Sequence, residues 1–365
     1  MTENLRCFAI AAPGLEPLVA KELRTLGEQP RVEDGGVAWE GDARSVMRAN
    51  LWLRCASRIV VRIARFRATK FHELERAAKR IPWQRFVSRD SAAEFRVTAR
   101  KSKLYHSDAI AQRLSDAARP TGTGAHPMLF VVRVVRDEFE ISVDSSGELL
   151  HMRGYRLASA KAPLRETLAA ALLLGAGWTG EDALMDPFCG SGTIPIEGAL
   201  IARRIAPGLE RDFAFSTWPE FDADAWKQCL ADARDGVHSS VRVPMRGSDR
   251  DAGAIEASIA NATRAGVAGD IEWRRSTVSA IERIADRGLV ATNPPYGKRV
   301  GDGDVRNAYA QMGNVARRAL GGWNVAMYTS DAMLAGQTRI PLKQEFRTVN
   351  GGIRIGAWIG EIPRK

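Results

Sequence analysis

The sequence has little of what metal centres and disulfide scaffolds are built from. Its four cysteines, Cys7, Cys55, Cys189 and Cys229, lie far apart among 365 residues with no C-x-x-C pair. This spacing argues against both a zinc site and a disulfide framework, so no metal is expected and reduced thiols fit a cytoplasmic protein. Long apolar runs are also missing. The longest, Leu168 to Trp178, contains Gly175 and Gly177 and falls well short of the ~20 residues that cross a bilayer. Met1 to Ala12 lacks the basic, apolar and small-residue zones of a signal peptide. A cytoplasmic location, with no membrane partner, is therefore expected. Tandem repeats and low-complexity tracts are absent. Hydrophobic residues at 45% and charged residues at 26% are those of a globular chain rather than a disordered one. The length corresponds to two or three domains.

Acidic residues are scarce in one region. The net charge is +10, and residues 1–160 hold 27 Lys and Arg against 19 Asp and Glu, whereas the remainder is nearly balanced at 26 against 24. Between Arg54 and Lys103 there are 15 basic and 4 acidic residues. A basic face this concentrated points to a polyanion, and nucleic acid is the natural one.

Strand-like and helix-like patterns alternate through the first half. Arg6 to Ala12 reads as a strand, and Leu15 to Leu26 as a helix closed by Gly27. A turn at Asp34-Gly35-Gly36, a helix from Asp42 to Leu53 and the apolar-basic Arg58 to Phe66 follow. The pattern then repeats with more charge: helix Phe71 to Lys79, strand Glu94 to Ala99, helix His106 to Ala118. Strands Met128 to Val135 and Glu138 to Val143 come next, joined tightly at Arg136-Asp137. A domain boundary is expected near 155–162. Beyond it, longer strand and helix units alternate as in a parallel sheet with crossover helices.

Three motifs in that second half carry chemistry. The first is Asp186-Pro187-Phe188-Cys189-Gly190-Ser191-Gly192-Thr193, between the apolar Ala183-Leu184-Met185 and a helix starting near Ile194. Glycines let the backbone pass close to a ligand, and the free N–H groups of a helix start favour a polar or anionic group. There is no Walker lysine, and Pro195 occupies the third glycine position of a dinucleotide loop. An acidic residue at the strand end just before the loop suits a cationic, amino-acid-bearing cofactor such as S-adenosylmethionine. The second motif is Gly247-Ser248-Asp249-Arg250-Asp251, after the strand-like Val241 to Arg246. Asp249 is placed to accept from both hydroxyls of a ribose, and Asp251 to cap the following helix.

The third motif, Thr292-Asn293-Pro294-Pro295-Tyr296, follows the apolar Gly288-Leu289-Val290-Ala291. Two prolines fix the chain and remove two N–H donors, so the loop offers acceptors: the Asn293 side-chain oxygen and the Pro294 carbonyl. Acceptors without donors suit an exocyclic amino group, and Tyr296 can stack on a flipped base.

These residues resemble the class I S-adenosylmethionine-dependent RNA methyltransferases that carry an N-terminal THUMP domain. Within them the chain is most similar to the bacterial 23S rRNA guanine-N2 methyltransferases and their relatives acting on tRNA guanine. Further ordered pieces carry the resemblance along nearly the whole chain: Ala12-Pro13-Gly14-Leu15-Glu16, Asn50-Leu51-Trp52-Leu53-Arg54, Lys101-Ser102-Lys103-Leu104, Arg153-Gly154-Tyr155-Arg156 and Gly321-Gly322-Trp323-Asn324. The resemblance implies an α/β fold: a Rossmann-like catalytic domain over 156–365, with an antiparallel final strand, preceded by α+β ferredoxin-like (1–60) and THUMP (61–155) domains. It further implies that Asp186, Phe188 and Gly190 to Thr193 hold the methionine portion of S-adenosylmethionine. Asp249 would hold the ribose, and Asn293, Pro294, Pro295 and Tyr296 the target guanine.

Lys101, Lys103, Arg153, Lys298 and Arg299 are the expected RNA contacts. Where the family commonly has an aspartate beside the cofactor adenine, this sequence has Thr277, whose hydroxyl can still bond there. Many relatives are fused to a second methyltransferase domain, which this chain is expected to lack. The expected activity is N2-methylation of guanine in structured RNA, 23S rRNA first, by a monomer. Methylation of tRNA guanine, methylation of adenine N6, and an inactive RNA-binding or ribosome-assembly factor stay open as alternatives.

Overall fold

The computed structural model describes residues 4–88, 91–120, 122, 127–157, 164–295 and 302–364. The chain divides into two compact units. The first comprises the chain up to residue 10, 20–150 and 211–231, and the second comprises 11–19, 151–210 and 232 onward.

The first unit is built on strands β1 (Leu5–Ala11), β2 (Arg31–Glu33), β3 (Gly36–Gly41), β4 (Ala56–Arg67), β5 (Ala93–Arg100), β6 (Met128–Val135) and β7 (Glu138–Asp144). They form one sheet in the order β2-β3-β1-β4-β7-β6-β5, in which β5 and β6 are parallel and the β6–β7 hairpin antiparallel. Helices α2 (Ala43–Trp52), α3 (Phe71–Ala78) and α4 (Ser107–Ala118) punctuate it, and α1 (Glu16–Thr25) is divided between the two units. The tight β6–β7 turn places both Arg136 and Asp137 at positive φ, the geometry that matches a two-residue turn to strand twist. Asp42 caps α2 by accepting from the Ser45 N–H at 2.8 Å.

The second unit begins with α5 (Glu166–Gly175) and contains β8 (Ala183–Asp186), α6 (Thr193–Ala202), β9 (Met245–Asp249), α8 (Ala252–Arg264) and β10 (Glu272–Arg275). Helix α7 (Ala223–Asp235) straddles the division between units. The chain continues through β11 (Gly288–Thr292), α9 (Asp302–Ala319), β12 (Asn324–Thr329), α10 (Ala332–Gln337), β13 (Leu342–Asn350) and β14 (Ile353–Glu361). The sheet order is β10-β9-β8-β11-β12-β14-β13, with β10 to β12 parallel and β14 antiparallel to both neighbours. This is the expected α/β architecture with its reversed final strand. β8 and β11 are buried along their whole length, which is why they read as apolar runs without alternation. The core beneath them centres on Trp323, Tyr309, Met312 and Met327.

Strand β9 differs from expectation. The alternation of Val241, Val243 and Met245 suggests a strand over 241–246, but β9 starts at Met245 and takes in Gly247 and Ser248, which read as turn residues. Pro244 has no N–H to give a ladder; its carbonyl accepts from the Leu184 N–H at 3.1 Å just where β9 begins. Among the described residues, no helix is long and apolar enough to cross a membrane.

Candidate active site

The sheet order reverses between β8 and β11, and open parallel sheets bind ligands at the carboxyl ends of strands beside such a switch point. Asp186 is the last residue of β8 and is 1% exposed. Its Oδ1 accepts from the Thr292 hydroxyl at 2.6 Å and from the Phe188 N–H at 3.0 Å. The first and third motifs are thereby joined at the ends of their strands. Burial pushes the Asp186 carboxyl up to about 7, and the nearby Asp249 charge adds to the shift.

Asp249 ends β9 and joins the second motif to the first. Its Oδ2 accepts from the Gly190 N–H at 3.0 Å and its Oδ1 from the Asp251 N–H at 3.0 Å. Each carboxylate oxygen keeps a further lone pair for a ligand hydroxyl. Asp251 caps α8 by accepting from Gly253 at 2.9 Å, so the two aspartates divide as their spacing suggests.

The glycine loop is held from beneath by α8. Ser258 donates to the Gly190 carbonyl at 2.8 Å, and the buried Asn261 amide donates to the Ser191 carbonyl at 3.0 Å. Ser191 and Thr193 are buried, and Phe188 packs against the core. Gly190 has φ +53, and a Cβ built there meets no atom within 4 Å. The loop therefore leaves open space against bare backbone where a cofactor can lie, and a side chain would intrude on it. Gly192 caps α6 at φ +82. Below it the Trp273 indole lies so close that a Cβ on Gly192 or Gly247 would sit 2.8 or 2.4 Å from the ring. That contact explains a glycine inside the buried strand β9.

Asn293 follows β11. Its Oδ1 is buried and has no hydrogen-bond partner among the described residues. Buried polar groups are rarely left so, and the two prolines that follow supply no N–H. The third motif thus presents, at the end of the strand beside the one that carries Asp186, an acceptor with no partner among the described residues. Trp273 Nε1 is likewise buried with no hydrogen-bond partner among the described residues. Sequence reasoning passed over Trp273, Ser258 and Asn261. The signal for the last two was their i, i+3 placement on the inner face of α8.

Thr277 is exposed, with its hydroxyl 2.7 Å from that of Ser279. Its neighbour Ser276 ties this stretch to the end of β9 by donating to the Asp249 carbonyl at 2.9 Å. Lys101, at φ +52, and Lys103 are exposed in the first unit. Arg153 does not fit its expected role as an RNA contact. Its side chain is 2% exposed and lies 3.6 Å from the fully buried Glu197 carboxylate. A buried carboxylate needs a counter-charge, and Arg153 serves that need rather than facing solvent. Tyr296, Lys298 and Arg299 lie outside the described residues. No cluster of metal-ligating side chains occurs among those described.

Residues 153–355 match the family of RMKL-like methyltransferase domains, UPF0020, and residues 6–60 match the RlmL ferredoxin-like domain. A Synechocystis protein provisionally named an RNA methyltransferase is 35% identical over 95% of this chain and 94% of its own. The ribosomal RNA large subunit methyltransferase K/L of Syntrophotalea carbinolica is 36% identical over 97% of this chain and 53% of its own. The chain spans about half the length of such K/L relatives. Among solved structures, a Listeria monocytogenes protein named as an N6-adenine-specific DNA methylase aligns with a TM-score of 0.89 at 35% identity. That alignment covers 97% of this chain and 96% of the other. A protein designated a methyltransferase and complexed with SAH aligns over 100% of both chains with a TM-score of 0.91 at 28% identity.

Proposed function

A chain that belongs, as this one does, to the UPF0020 family of RMKL-like methyltransferases is an S-adenosylmethionine-dependent RNA methyltransferase, and we propose that this one forms N2-methylguanosine in large-subunit ribosomal RNA. The observation that carries the proposal is the buried Asn293 Oδ1 with no partner among the described residues. Bound S-adenosylmethionine supplies a methyl group on an already cationic sulfonium, so the protein's task is positioning and electrostatics. Asn293 Oδ1 and the Pro294 carbonyl accept the two N–H bonds of the guanine amine. They turn its lone pair toward the methyl and strengthen as the nitrogen becomes tetrahedral. The proton leaves to water after transfer, so no strong base is required. Pro295 holds the loop's shape, and Tyr296 stacks on the flipped base.

Asp249 holds the ribose hydroxyls, the loop from Asp186 to Thr193 holds the methionine portion, and Thr277 bonds near the adenine. Residues 1–60 and 61–155 act as ferredoxin-like and THUMP modules that grip folded RNA. Lys101, Lys103, Lys298 and Arg299 contact phosphate, the reach of a sequence-independent grip. The protein works in the cytoplasm as a monomer.

The same acceptors would receive the amine of adenine, and the name of the Listeria relative keeps N6-methyladenosine as a second reading. Transfer of labelled methyl to unmodified large-subunit rRNA and, separately, to unmodified tRNA, followed by nucleoside analysis, tests both. We expect N2-methylguanosine in the rRNA. N6-methyladenosine, or label confined to tRNA, would replace the proposal.

A further inference from the structure

We propose that a second cleft in the catalytic unit, at the ends of β12, β13 and β14, takes an unpaired nucleotide of the RNA strand beside the methylated base. The proposal rests on the RNA-methyltransferase reading above and extends it to how the substrate is chosen. The cavity measures about 590 Å³, within the range of small-molecule sites. One face of the β13–β14 hairpin forms its working surface, where the register sets Gln344 opposite Trp358, Arg347 opposite Gly356 and Val349 opposite Arg354.

One buried donor on this face, Trp358 Nε1, has no hydrogen-bond partner among the described residues. Arg347 Nε donates to Gln344 Oε1 at 2.8 Å, which directs the Gln344 amide nitrogen the other way. Both nitrogens converge over Gly356, where a Cβ would lie 2.1 Å from Gln344 Nε2 and 2.9 Å from Trp358 Nε1. Gln344 and Trp358 line the cleft together with Asp331 and the two arginines, and their N–H donors call for a ligand that brings acceptors, as the ring nitrogens and carbonyls of a nucleobase do. The Trp358 ring offers a stacking surface, since every base has a π-face. Arg347 and Arg354 are exposed at the rim, where guanidinium groups suit phosphate.

Placement supports a nucleotide of the same RNA strand. Thr292, next to Asn293, pairs with Met327 on β12, and Thr329, at the end of β12, pairs with Gly356 on β14. The cleft floor is therefore at the same end of the sheet as Asn293 and two strand spacings away, about 10 Å. A strand that has flipped one base toward Asn293 passes this distance within a few nucleotides.

The opposite wall comes from Pro13, in the Ala12-to-Glu16 piece that the methyltransfer chemistry leaves unexplained. Gly14, at φ +85, crosses β13 so closely that a Cβ would lie 2.0 Å from the Arg347 carbonyl oxygen. The glycine is what allows Pro13 to reach the cleft.

The test measures both binding and turnover of unmodified, transcribed large-subunit rRNA by the full-length protein. Both arginines are exposed, so R347A/R354A will fold. It should raise the Kd and the KM for RNA about ten-fold, a loss of one decade, while the KM for S-adenosylmethionine holds. W358F keeps an aromatic π-face but removes the donor and part of the ring volume; in protein that melts as the wild type does, it should raise both RNA constants by a smaller factor. Photo-crosslinking of the wild-type complex should join a nucleotide close to the methylated one to the Gln344–Trp358 peptide. Unchanged RNA constants in both variants, with crosslinks elsewhere, would overturn the cleft and point to some other occupant. Wild-type protein that binds RNA through the cleft but transfers no methyl group would keep the cleft and overturn the function. Wild-type protein that binds no RNA would overturn both.

Discussion

Two asparagines, one in each unit, show what separates a structural polar cluster from a reactive one. Asn50, on α2, is 1% exposed and fully engaged. Its amide donates to the Val46 carbonyl at 3.0 Å and to Ser145 Oγ at 2.8 Å, and its Oδ1 accepts from Ser146 Oγ at 2.6 Å. The cluster closes through Asp144, which accepts from the Ser146 and Gly147 N–H groups and pairs with Arg58. Asn293 stands before two prolines that restrict its backbone, and its Oδ1 is buried without a partner among the described residues. Leaving a buried acceptor unmade costs about 1–3 kcal/mol. In the first unit that cost is avoided by mutual hydrogen bonding. In the second it is retained, as catalytic sites retain pre-aimed dipoles for a group that arrives later.

The sharpest way to break this comparison is to truncate both residues. N293A should lower methyl transfer by about 10²–10³-fold, the usual loss when one pre-aimed hydrogen-bonding group is removed. Its cofactor affinity should stay near wild type in calorimetry, and its melting temperature should be no lower than wild type, because the unmet acceptor is gone. N50A should do the reverse, destabilising the fold by about 2–4 kcal/mol because Ser145, Ser146 and the Val46 carbonyl lose partners inside the protein. The molecules that remain folded should turn over normally. If N293A unfolds the protein, or N50A stops turnover without affecting stability, the distinction fails.

The next effect lies at the joint between the first two motifs. D249A removes the acceptor for Gly190 along with the proposed ribose contact, and should weaken S-adenosylmethionine binding about 10–100-fold, as for hydrogen bonds to a charged group. Equilibrium binding measures it, and an unchanged Kd would take Asp249 out of the site.

A smaller effect comes from protonation. Burial raises Asp186 from 3.8 to about 7 and Glu166 from 4.5 to about 7. The folded chain therefore holds protons that the unfolded chain releases at lower pH. The resulting stability is fully present below the ordinary carboxylate range and is lost as pH rises through about 7. The melting temperature of the ligand-free protein should fall between pH 5 and pH 8 in scanning calorimetry, and D186N should fall less steeply. A wild-type melting temperature that rises over that interval would contradict the assignment. The smallest effect expected is from T277D, which restores the family's usual acidic residue and should tighten cofactor binding by roughly 3-fold, within the range of one added hydrogen bond. A weaker complex would place Thr277 away from the adenine.

Much of this was readable before the structure, for reasons the two units make plain. Elements whose apolar period is decided locally came through: the Arg136-Asp137 hairpin, the capped helix α2 and the strands leading to Asp186 and Thr292 fall where their patterns put them. What failed depended on distant partners. Gly247 and Ser248 look like turn residues, and only the Trp273 ring lying over Gly247 explains a glycine in a buried strand. Arg153 looks like a surface cation until Glu197, 44 positions further on, is found buried against it. The three motifs could be named from spacing alone, but the hydrogen bonds that join them through Asp186 and Asp249 could not. Nor could the cleft at Gly356, whose walls come from segments more than 300 residues apart in sequence.

The central claim is that the buried acceptor on Asn293, without a partner among the described residues, serves a guanine amine. Its most direct test is labelled methyl transfer to unmodified large-subunit rRNA by wild-type and N293A protein side by side, with the RNA then digested to nucleosides. The account predicts label in N2-methylguanosine with the wild type and almost none with N293A. Equal labelling by both proteins, or label in any nucleoside other than N2-methylguanosine, would contradict it.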